Sequence, residues 1–123
     1  MNEILWQKLE GAAVFVSALI AYWLTSNEEL AWWAAILWFF APDLSFAAYL
    51  AGARVGAMGY NAVHIYGFGA AVIAGGLLFS CPFAVALGLL WLGHGGFDRL
   101  LGYGLKLPSG FQDTHLGRIG KDR

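Results

Sequence analysis

Charge is scarce in this chain. Only 12% of its 123 residues are Asp, Glu, Lys or Arg, while 59% are hydrophobic. With a mean hydropathy of +0.62, that balance falls outside the range of soluble globular proteins. A single cysteine, Cys81, excludes an intrachain disulfide and a zinc site of clustered thiolates. A basic leader is also missing. Glu3 and Glu10 stand where its positive residues would be, and no small-residue cleavage site follows, so no cleavable signal is expected. No nucleic-acid partner is expected either.

Long apolar runs are what the chain has. They cover Leu9–Thr25, Leu30–Ala51, Gly56–Phe79 and Phe83–Leu101, each near the ~20 residues a bilayer-spanning helix needs. The short links between them predict an all-α fold, a four-helix transmembrane bundle forming one domain over residues 1–123. A short polar tail, 102–123, follows. Ser26 and Glu29 have the spacing of a capping box opening the second helix. Pro82 suits the first turn of the fourth helix, and Pro42 predicts a kink in the second. Six tryptophans fit side chains at membrane–water boundaries.

The positive charges set the orientation. In a four-span topology Lys8, Arg54, Arg99, Lys106, Arg118, Lys121 and Arg123 all fall on one side, and the opposite loops carry only Glu28 and Glu29. The positive-inside rule then places both termini in the cytoplasm.

Ionisable residues inside the runs gather at one level. Asp43 lies eight residues before the end of the second run, His64 eight after the start of the third, and His94 seven before the end of the fourth. At ~1.5 Å per residue these share a depth of roughly 10–12 Å. Asp98 follows His94 by one helical turn. Such groups are costly in a bilayer unless paired, hydrated or ligated, so one shared site is expected. The stripe His64, Gly67, Ala71, Gly75 predicts a helix-packing face that turns His64 into the bundle. Tyr60 and Asn61, one turn away, are placed to orient it and to meet a substrate. Glycines 102, 104 and 110 let the tail fold back and carry Asp113 and His115 toward His94 and Asp98.

Imidazoles with carboxylates suit zinc, manganese or iron. The expected ligands are His64, His94 and Asp98, with Asp113 or His115 completing the set. Asp43 is a candidate general base and Asp98 a second catalytic carboxylate. Arg54, Arg99 and Lys106 are candidates for holding an anionic group such as a lipid phosphate. Plain uses stand beside these: Asp43 as a helix cap, His94 with Asp98 as an intrahelical pair, and the three cations as interfacial anchors.

The segments PDLSFAAYLAGARVGAMGYNAVH and WLGHGGFDRLLGYGLKLPSGFQDTHLGRIG resemble the signature of a small bacterial four-helix integral membrane family of unknown function, over residues from about 40 to 120. The G-Y-G-L-K…D-T-H-L-G tail is its most specific part. The resemblance implies a location in the bacterial cytoplasmic membrane and no particular activity. The scatter of P-D, N-x-x-H, H-x-x-x-D and D-x-H is similar in pattern to membrane-bound metal-dependent hydrolases, although their H-R-x-x-T-H run is absent.

Three functions follow as expectations. The first is a metal-dependent hydrolase acting on a lipid-like or phosphate-bearing substrate at the cytoplasmic face. The second is a haem b carrier with His64 and His94 as axial ligands and Gly93, Gly95 and Gly96 leaving room for the ring. The third is a small membrane scaffold, a homo-oligomer or assembly partner, whose buried polar groups fix helix register.

Overall fold

A computed structural model describes residues 2–108 and 113–118. Five α-helices dominate: α1 (Glu3–Ser26), α2 (Trp32–Phe40), α3 (Ala53–His64), α4 (Tyr66–Leu78) and α5 (Pro82–Leu100). A 3-10 segment, Ala41–Ala51, continues from α2. The tail carries two-residue strands, β1 (Asp113–Thr114) and β2 (Gly117–Arg118), paired antiparallel.

Several expected elements differ. The second run is not a single α-helix: it tightens into 3-10 geometry at Ala41, next to Pro42, which has no N–H to give to the α-helical ladder. The Ser45 hydroxyl donates to the Pro42 carbonyl at 2.7 Å. The capping box does not form. Ser26 ends α1, and α2 starts six residues later behind Ala31, without a side-chain cap. The third run is broken at Ile65 (φ −75°, ψ 148°), so that α3 and α4 meet at a 47° bend. The break also divides the expected small-residue stripe, and a side chain at Gly75 would meet open space.

Among the described residues, Glu3–Ser26 and Trp32–Ala51 are long and apolar enough to cross a membrane, and the bent pair α3–α4 passes as a third span if taken together. Their outer faces carry Trp23, Trp32, Trp33, Leu37, Leu50 and Phe79, all exposed. An apolar surface this extensive is that of a molecule solvated by lipid. The most buried helix, α5, falls short of that hydropathy because His94, Asp98 and Arg99 make its C-terminal half polar.

Helix α5 is the axis of the fold. Glycine lets its backbone touch both neighbours. A Cβ on Gly96 would lie 2.5 Å from the Phe15 nitrogen on α1, and one on Gly88 would lie 2.8 Å from the Ile73 nitrogen on α4. The opposing glycines are Gly11 on α1 and Gly69 and Gly76 on α4, each equally tight. Close approach of this kind is how helices associate in lipid, where burial of hydrocarbon gives no advantage over the bilayer itself. Gly96→Leu should therefore force α1 away and cost about 2–3 kcal/mol, read as a lower melting temperature in detergent; an unchanged value would mean that this crossing is not tight in solution.

Candidate metal centre

Three elements deliver four side chains to one point. Asp43 comes from the first turn of the 3-10 segment, His64 from the last residue of α3, and His94 and Asp98 from successive turns of α5. One ligand atom from each lies within 4.8 Å of all the others. His94 Nε2 is 3.1 Å from Asp43 Oδ1, 3.3 Å from His64 Nε2 and 3.3 Å from Asp98 Oδ2. His64 Nε2 is 3.5 Å from both carboxylates. For bonds of ~2.0–2.1 Å, the ligand-to-ligand edge of a tetrahedral zinc site is about 3.3–3.4 Å. The five distances bracket that edge.

The ring of His64 is held from two directions. Its Nδ1–H donates to the Tyr60 carbonyl at 2.8 Å, one turn back, and its face stacks on the Tyr60 ring at 3.7 Å between centroids. A carbonyl only accepts, so the hydrogen bond fixes Nδ1 as the donor. In the neutral ring Nε2 then carries a lone pair aimed at the cluster, the arrangement that outer partners impose on ligating histidines. The Tyr60 hydroxyl donates to Asp98 Oδ2 at 3.2 Å, so this one residue positions two cluster members.

The break at Ile65 is what brings His64 to a helix end beside the cluster. A continuous helix would give the Val63 carbonyl to the Gly67 N–H. Here the Trp91 indole N–H of α5 takes it at 2.7 Å, tying the broken end to the central helix.

His94 is 1% exposed and His64 3%, Asp98 is buried, and the Asp43 side chain is 36% exposed. The cluster is thus closed on three sides and open at Asp43. Phe39 and Phe40 stand edge-on to the His94 ring, at 5.5 and 6.1 Å between centroids. His94 Nδ1 is buried without a hydrogen-bond partner among the described residues.

Other candidate residues lie elsewhere. The tail does fold back, but His115 joins no cluster. Its Nδ1 accepts from the Leu105 N–H and its Nε2–H donates to Gln7 Oε1, both at 2.8 Å, which ties the tail to the start of α1. Both nitrogens are therefore occupied away from the centre. The backbone of Asp113 lies in β1, and its side chain falls outside the described residues. Asn61 spends its amide on the tail, accepting from the Lys106 N–H at 2.6 Å and donating to the Lys106 carbonyl at 2.8 Å. Arg99 is buried, its guanidinium 5.5 Å over the Tyr66 ring. Lys106 is buried with its ammonium 4.9 Å over the Tyr60 ring, and that burial lowers its pKa from the ordinary lysine value. Arg54 is exposed beside the Gly52 turn.

Burial and the nearby Arg99 charge lower the His115 pKa below the ordinary histidine value of 6.5. The sign follows. The folded tail favours the neutral ring, so its contribution is complete above ~6.5 and is lost as pH falls below that value. A protonated ring cannot accept from Leu105. The exchange protection of the Leu105 amide should therefore drop between pH 7 and pH 5; constant protection would contradict the hydrogen bond.

Membrane-length apolar helices around a buried pair of histidines and a pair of aspartates define the class of protein. Within that class, the chain belongs to the family described as Domain of unknown function (DUF4260), which matches residues 4–119. No curated protein and no solved structure matches it significantly.

Proposed function

We propose that this chain is a membrane-embedded, metal-dependent hydrolase whose cation lies between Asp43, His64, His94 and Asp98. One observation carries the reading: four electron-pair donors converge at ligand spacing. With the lone pair of His64 Nε2 turned inward, the two carboxylates and two imidazole nitrogens need a proton or a cation between them. A divalent cation meets that need with hard oxygen and borderline nitrogen ligands suited to zinc, manganese or iron. The same crowding weighs against haem, because the two carboxylates occupy the space that a porphyrin would need around His64 and His94.

A cation held there supplies Lewis acidity and lowers the pKa of a nearby water toward neutrality. The chain's own base is Asp43, the member with an open side. Its carboxylate takes a proton from the attacking water as the water oxygen bonds to the carbonyl carbon or phosphorus of an ester. The bond to the leaving alkoxide breaks, and Asp43 returns the proton to that oxygen. Asp98, fixed by the Tyr60 hydroxyl, keeps the histidines in register. Arg54 is the exposed cation available to an anionic head group.

We read the chain as crossing a bacterial cytoplasmic membrane four times, with α3–α4 as the bent third span and α5 as the fourth. The Gln7–His115 contact, which draws the two ends of the chain together, supports an even number of crossings. The one-sided distribution of all seven basic residues supports cytoplasmic termini.

A second reading has its own support. The shortest contacts, 3.1 and 3.3 Å, are also hydrogen-bond distances, so protonated imidazoles between the aspartates would act as interhelical glue. Elemental analysis of detergent-purified protein separates the two. About one equivalent of zinc, manganese or iron is expected, and none after reconstitution with each ion would leave only the glue. The metal-loaded protein should then release fatty acid, glycerol or glycerol phosphate from phosphatidylglycerol vesicles; bound metal with none of these products would overturn the hydrolase.

A further inference from the structure

We infer that the groove between α1, α2 and α5 seats one acyl chain of a membrane lipid, whose ester or phosphate group then reaches the open, Asp43 side of the cluster. This names the substrate class of the proposed hydrolase and rests on that reading only for the fate of the head group.

The groove holds about 320 Å³ and is walled by Phe15, Leu19, Tyr22, Ile36, Phe39 and Leu90 with wholly apolar surface. That volume is at the lower end of small-molecule sites, which run to roughly 300–1,000 Å³. Its wall along α1 spans eight residues from Phe15 to Tyr22, about 10 Å of helix. This is an open, apolar groove along α1, of a kind that the hydrocarbon of an acyl chain can fill. Its walls lie in helices of membrane length, so the hydrocarbon of the bilayer surrounds it.

Its lower end leads to the cluster through aromatic contacts. Phe15 meets Phe39 at 6.0 Å between centroids, and Phe39 meets His94 at 5.5 Å. Asp43, the partly exposed ligand, follows within one turn of Phe39 and Phe40 on the same strand of chain. A chain lying on Phe39 therefore brings the group at its head to the one side of the cluster that is not closed. The slot fits poorly with a polar or charged occupant, since its walls offer nothing to replace lost hydration.

The test uses full-length protein in phosphatidylglycerol vesicles doped with a phosphatidylglycerol carrying a diazirine midway along one acyl chain. After photolysis, labelled peptides are mapped and bound metal is measured on the same sample. Labelling at Leu19, Ile36 and Leu90 is expected to exceed that at the outward residues Leu37, Leu44 and Leu50 by about fivefold or more. Ala35→Trp, which fills the slot from α2, and Leu19→Trp, which fills it from α1, should each remove the excess and leave metal content unchanged. Equal labelling of slot and outer face, or an excess that persists in both variants, would overturn the chain seat while leaving the metal centre standing. An excess with no metal bound would instead overturn the metal reading and support the seat alone.

Discussion

His64→Ala and His94→Ala should each weaken cation binding by about 100-fold or more. Loss of an outer partner alone already costs 10–100-fold at metal sites, and each histidine is a direct ligand in the proposed centre. Both rings aim Nε2 at the same point, 3.3 Å apart, and neither has a neighbour able to replace it. Two controls give the result its meaning. His115→Ala should leave affinity unchanged, because that ring is engaged with Leu105 and Gln7. Tyr60→Phe keeps the carbonyl that orients His64 and the ring that stacks on it, and removes only the hydroxyl on Asp98. It should cost about tenfold, the lower end for an outer partner. Titration calorimetry with zinc and manganese reads all four. Equal affinity in wild type and His94→Ala would place any bound ion elsewhere.

Chelation should destabilise the wild type strongly. A cation at a thousandfold excess over its dissociation constant stabilises the folded state by about 4 kcal/mol when the unfolded chain does not bind it. A chelator removes that contribution and leaves two carboxylates facing two imidazoles. In His94→Ala, whose site binds about 100-fold more weakly, the same metal concentration is only about tenfold over the dissociation constant, so the chelator should remove no more than about 1.4 kcal/mol and lower the melting temperature much less. Acid should mimic chelation, since the ligating nitrogens must be free of protons. The metal-dependent part of the stability is thus expected to fall as the pH is lowered. A chelator effect of the same size in His94→Ala would show that the stabilising ion sits at another site.

The cluster was legible in the sequence because membranes make polar groups conspicuous. Asp43, His64 and His94 stand out against hydrocarbon, and counting from the ends of the runs places them at one level. The count worked although the helices it assumed were imperfect. Asp43 sits in the first turn of the 3-10 segment, so the eight residues counted back from Ala51 run through its longer rise, whereas the break lies just beyond His64 and leaves that count untouched. Tyr60 was placed correctly one turn from His64, but its double role depends on a carbonyl and a stacking face that spacing does not encode. The tail was the opposite case. His115 is two residues from Asp113, an inviting ligand pair, yet its position follows from Asn61 gripping the Lys106 backbone and from Gln7 at the far end of the chain. Such long-range contacts leave no period or spacing to read. The break at Ile65 has no proline to announce it, and it holds because Trp91 can reach the carbonyl that it frees.

The glycine crossings that clamp α5 would also decide how a substrate of the proposed hydrolase arrives. With α1 and α4 in backbone contact with α5, and the tail pinned to α3, the centre is shut toward both flanks and toward the end where the termini meet. Entry is left to the α2 side, where Asp43 is exposed. A hydrolase built this way meets its substrate by diffusion in two dimensions. Its rate should follow the mole fraction of that lipid in the bilayer and stay constant when more vesicles of the same composition are added at saturating surface area.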